Sequence, residues 1–196
     1  MKLRIGIISA LLLFNVGARA ENKNVFYKTI NLRTSNKINR FFEIRGVQAT
    51  AVVNAWKKCQ DSKKSKCVVS SVKTEHTNLS QYDFDRDEVS YETSVSAVIK
   101  SIDHLKMVIK SKDTSKQTQY FDERPNDNEV NGVLMAAIDS AKEMCEVDGH
   151  DFCVLDDVKV FEKGTPFYDY KAGSDRFRVR TEATVSGYKI GKFINE

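Results

Sequence analysis

Two stretches decide the fold: AWKKCQDSKKSKCVV, Ala55 to Val69, and AKEMCEVDGHDFCVL, Ala141 to Leu155. In each, two cysteines enclose seven residues, QDSKKSK between Cys59 and Cys67 and EVDGHDF between Cys145 and Cys153. The match runs outward at a constant offset of 86. Ala51, Val52 and Ala55 correspond to Ala137, Ile138 and Ala141, and Val68, Val72 and Lys73 correspond to Val154, Val158 and Lys159. Further on, ETSVSA (92–97) matches EATVSG (182–187) at an offset of 90; upstream, Ile30 and Phe42 match Ile109 and Phe121 at 79. The offset changes fall in polar stretches, where loops accommodate insertions. The chain reads as one unit written twice.

Periodicity gives the elements. Glu129 to Cys145 predicts a helix with Val130, Val133, Leu134, Ala137, Ile138, Ala141 and Cys145 on one face, and Asn126, Asp127 or Asn128 as its N-cap. Gly46 to Cys59 is the counterpart, burying Ala51, Val52, Ala55 and Cys59. After each second cysteine the period becomes two, as it is in Ser90 to Ile99 and Phe177 to Tyr188. Two more strands are expected before each helix: Val25 to Arg33 with Asn39 to Arg45, and Leu105 to Ser111 with Gln117 to Phe121. The expected fold class is α+β: a tandem duplication of a ββαββ unit, each a helix on a small antiparallel sheet. The repeats divide as 21–103 and 104–196, small enough to share one continuous sheet.

Composition bounds this reading. Of 196 residues, 41% are hydrophobic and 30% charged, which supplies a core and excludes a disordered chain. No apolar run reaches 18 residues, so no transmembrane segment is expected. Residues 1–20, MKLRIGIISALLLFNVGARA, read as a signal peptide: Lys2 and Arg4, a short apolar stretch, then Ala18-Arg19-Ala20 for cleavage. An even cysteine count behind such a leader predicts disulfides in an oxidising, periplasmic or extracellular compartment. The repeat favours local pairing, Cys59 with Cys67 and Cys145 with Cys153, over the two crossed alternatives.

The helix end Ala55-Trp56-Lys57-Lys58-Cys59, seven residues, then Cys67-Val68 resembles the helix–disulfide–strand unit of small secreted bacterial domains of unknown function. Those carry an Ala-Leu-x-x-Cys helix end, and the second copy has Ala141-Lys142-Glu143-Met144-Cys145. The resemblance covers about twenty residues per repeat; it implies an exported α+β domain and carries no activity with it.

Chemistry-bearing motifs are sparse. His76, His104 and His150 are not at metal-ligand spacing; His150 is flanked by Asp148 and Asp151 inside the second cysteine loop. Asp83, Asp85, Asp87 and Glu88 start like a calcium loop, but the glycine position holds Glu88 and the twelfth position Ser94. No catalytic residue, metal or cofactor is expected. Trp56 aligns with Lys142, so it belongs to the core, to a seam between copies or to a partner contact.

Charge separates the copies. Residues 21–110 hold 16 basic and 10 acidic side chains, net +6; residues 111–196 hold 12 and 17, net −5. The cysteine loops follow, with Lys63, Lys64 and Lys66 in the first and Glu146, Asp148 and Asp151 around His150 in the second. Without Lys2, Arg4 and Arg19 the mature balance is 28 basic against 27 acidic, which gives no case for nucleic acid. The expected function is a non-catalytic exported module that binds an envelope or secreted protein, or an anionic polymer, through these loops, with weak self-association between opposite charges. The alternatives are a hydrolase with Asp83, Asp85 or Glu88 at an inter-repeat cleft, and a hydrolase inhibitor using a protruding cysteine loop.

Overall fold

The computed structural model describes residues 25–34, 40–83 and 88–190; the expected leader lies outside them. The order is β1 (Val25–Thr34), α1 (Arg40–Asp61), β2 (Cys67–Asp83), β3 (Glu88–Ser101), β4 (Met107–Phe121), α2 (Asp127–Val147), β5 (Phe152–Asp169) and β6 (Ser174–Ile190). The molecule is α+β, with both disulfides local: Cys59–Cys67 and Cys145–Cys153, Cα atoms 6.3 and 6.0 Å apart. No helix among the described residues is long and apolar enough to cross a membrane.

Each half is βαββ, which corrects the expected ββαββ. Residues 40–45, within the stretch read as a strand, are the first turns of α1. Gly46 looked like a helix boundary but lies inside the helix, where a Cβ would fall 1.9 Å from the Asn128 carbonyl oxygen at the start of α2. Its counterpart at the offset of 86, Gly132, is buried in α2. In the second half the two expected strands are one, β4, running through the polar Lys112–Lys116 stretch. That stretch read as a loop because β4 is an edge strand paired only with β6, and charge on an edge strand deters further pairing.

The strands form one six-stranded antiparallel sheet in the order β1-β3-β2-β5-β6-β4. Replacing each strand by its counterpart in the other half reverses this order and leaves it unchanged. Among the described residues, the one residue pair joining the halves in the sheet is Val68 with Val154, themselves counterparts at the offset of 86. Equivalent residues meeting each other is the signature of an isologous, two-fold contact. Because β2 and β5 pair antiparallel near their first residues, the β2–β3 and β5–β6 hairpins extend in opposite directions from this seam.

Both helices lie on one sheet face, and one core joins the halves: Val47, Ala51 and Val52 of α1 and Val95 of β3 cluster with Leu134, Ile138 and Ala141 of α2 and Leu155 and Val185 of the second half. Asn126 caps α2 in a capping box with Glu129. Arg45 pairs with Asp139, and Asn131 Nδ2 donates to Thr50 Oγ1 at 3.3 Å, tying the helices together. Residues that alternate with the core-facing ones form a small second cluster on the other face, Ile102, Val154 and Tyr188, under the β3–β4 turn. The expected division at 103/104 falls in that turn.

Candidate functional site

Both cysteine loops start from the same turn. Ser62 N–H donates to the Lys58 carbonyl (3.2 Å) and Lys63 N–H to Gln60 (2.8 Å); in the second half Asp148 donates to Met144 (3.2 Å) and Gly149 to Glu146 (3.0 Å). The second residue after each helix is left-handed, Gly149 at φ 70° and Lys63 at φ 57°. Glycine takes that conformation freely, whereas a side chain costs about 1 kcal/mol. The first loop is then pinned by Asp103, whose carboxylate accepts Ser65 N–H (3.1 and 3.2 Å), Ser65 Oγ–H (2.6 Å), Lys66 N–H (3.1 Å) and Ser101 Oγ–H (2.8 Å). Burial alone would raise this carboxyl, but the hydrogen bonds from Ser65, Ser101 and Lys66 together hold it below the usual carboxylate range.

The three lysines therefore separate. Lys63 is exposed, whereas Lys64 and Lys66 are both half-buried, with the Lys66 ammonium 5.7 Å from the centre of the Tyr188 ring across the seam. The acidic loop separates likewise. Glu146 and Asp148 are exposed, with Glu146 3.3 Å from Lys142. Asp151 instead fastens the loop to β6: its N–H donates to the Tyr188 carbonyl (2.9 Å) and its carboxylate accepts Ile190 N–H (2.8 Å). His150 is half-buried; Nδ1 donates to the Cys145 carbonyl at 2.9 Å, and the ring lies so close to Gly187 that a Cβ there would be 2.6 Å from it.

Trp56 is at the seam. Half-buried in α1, it donates its indole N–H to the Leu155 carbonyl of β5 at 2.7 Å, beside a bulge that interrupts the β5–β6 ladder. Asp83 and Glu88 are paired positions at the far end of the β2–β3 hairpin, fifteen residues along β2 from Val68, and their side chains lie outside the described residues. Asp85 and Asp87, and the side chain of His76, lie outside the described residues; His104 is exposed. Among the described residues no group of histidine, cysteine, aspartate and glutamate is arranged to hold a metal.

A second surface went unread in the sequence. On the sheet face away from the helices, two carboxylates lie low and four cations stand over them. Glu162 accepts Arg178 Nε (2.5 Å), Arg178 Nη2 (3.1 Å) and Arg180 Nη1 (3.1 Å). Glu182 lies 3.5 Å from Lys116 Nζ and 3.9 Å from Lys159 Nζ, and the latter also reaches Asp157 at 2.6 Å. The glutamates are 17% and 15% exposed, against 73% for Lys116 and 49% for Arg180. The Arg178 hydrogen bond holds the Glu162 carboxyl low, with a smaller contribution from Arg180, against the opposing effect of burial. Toward the hairpin tip, Tyr120 and Phe167 rings lie 5.4 Å apart, with Arg176 and Arg178 each 5.8 Å from one of them. A cavity of about 340 Å³ opens here, lined by Lys116, Gln117, Thr118, Phe161, Arg180 and Thr181. The available signal was the alternation Arg176, Arg178, Arg180, which in a strand puts three cations on one face; counting net charge per half concealed it.

Comparison of the chain with protein-family models, with curated proteins and with solved structures finds no match.

Proposed function

We propose that this chain arose by duplication of a βαββ unit and serves, after export, as a non-catalytic binding module for an anionic partner of the cell envelope or its surroundings. Two disulfides favour an oxidising compartment. The observation that carries the reading is Lys63. The second half fills the same left-handed turn with glycine, so the first half keeps a charged side chain there at a conformational cost, and such strain recurs at functional positions. The disulfide and the Asp103 clamp fix the loop, so Lys63 and Lys64 meet a partner without the cost of ordering their backbone.

The experiment is capture of envelope components by the chain at low and high salt, beside a Lys63→Glu/Lys64→Glu variant. Capture of an anionic polymer or acidic protein, weakened by salt and lost in the variant, is expected, because exposed charges are screened as the Debye length shrinks. Capture that ignores both salt and the double reversal rules this reading out.

A further inference from the structure

We infer that the open sheet face of the second half is a binding site for an acidic saccharide, a cyclic polyol bearing a carboxylate or phosphate, seated in the cavity between Lys116, Arg180 and Phe161. Three observations converge. The cavity is about 340 Å³, the size that holds one or two sugar rings, and beside the cations Thr118 brings a hydroxyl, the Thr181 hydroxyl being spent on the Val133 carbonyl on the helix side. Its charge is layered: Glu162 and Glu182 lie beneath and hold the cations in place, while Lys116 and Arg180 reach outward. Among the described residues Arg180 is engaged only through Nη1, leaving guanidinium N–H groups to grip an anionic group in the forked geometry that suits carboxylate and phosphate. Phe161, 55% exposed in the β5 bulge, supplies the apolar contact that the C–H face of a sugar ring needs.

The site lies in the half whose net charge is −5. Its cationic character is local, created by the strand alternation, and does not depend on Lys63 and Lys64. Specificity follows from the same geometry. A neutral sugar meets the Phe161 ring and the Thr118 hydroxyl but leaves the outward cations without a partner, so the anionic group decides affinity.

The test is calorimetric titration of the full chain with a trigalacturonate, with a short glycerol-phosphate oligomer, and with a neutral trisaccharide of similar size. Saturable binding of one anionic probe, at least about tenfold tighter than the neutral sugar, is expected; which probe binds tells carboxylate from phosphate. Arg180→Ala and Phe161→Ala should each weaken binding about tenfold, and Arg180→Lys should restore part of it. Melting curves of the exposed-site variants check that the fold persists. Equal binding of acidic and neutral sugars, no saturable binding by any probe, or binding indifferent to both alanine variants would overturn the assignment. Binding that requires a protein partner instead would overturn it too.

Discussion

Lys63 shows how two matching loops expose the cost of a single residue. Its φ of 57° matches the 70° of Gly149 at the equivalent turn, so the second half is an internal control. Lys63→Gly should stabilise the chain by up to about 1 kcal/mol, less the larger chain entropy that glycine brings to the unfolded state; a thermal melt reads the shift. Asp103 gives the pH dependence of the same loop. Its folded-state carboxyl titrates below the usual range, so its stabilisation is complete above the unfolded value of about 3.9 and is lost as pH falls through the lower folded value. The protection factors of the Ser65 and Lys66 amides, which take out the intrinsic pH dependence of exchange, should therefore fall only in that acid window, and Asp103→Asn should remove the acid step. These residue roles were only partly legible. Spacing located the loops, but nothing in the local sequence tells that Lys66 and Asp151 are spent on the seam and on β6 while Lys63 and Glu146 face solvent. That division depends on Tyr188 and Ile190, which come from a distant strand.

At the scale of elements, the helices and the strands after each second cysteine were legible because their apolar periods are unbroken. The segments before each helix were not. Gly46 imitates a boundary, yet its hydrogen side chain lets α1 approach the Asn128 backbone, and an edge strand such as β4 needs no apolar alternation. Gly46→Ala should cost on the order of 3 kcal/mol, since the added carbon overlaps backbone that cannot turn aside. Ala137 and Ala141 have no exposed surface. Aspartate at either should destabilise the fold by more than about 4 kcal/mol, because a carboxylate would lie unpaired between helix and sheet; denaturant titration checks both. Loss of either local disulfide should cost about 2–3 kcal/mol by loop entropy.

For the whole molecule, the two halves share one core and one sheet, so unfolding should appear as a single calorimetric transition. Trp56 is the asymmetric bolt: its counterpart is Lys142, and its indole bonds across the seam to Leu155. Trp56→Phe should keep the packing but lose that hydrogen bond, costing about 1 kcal/mol. The charge split between halves, legible from composition alone, is redistributed by the fold into an exposed basic turn on one half and a cationic sheet face on the other. The account of function rests on the basic turn. The affinity of Lys63→Gly for the captured anionic partner tests it most directly, because the substitution removes the charge while relaxing the backbone. The expected result is weaker binding by a more stable protein; unchanged affinity at the higher melting temperature would contradict a binding role for the strained lysine.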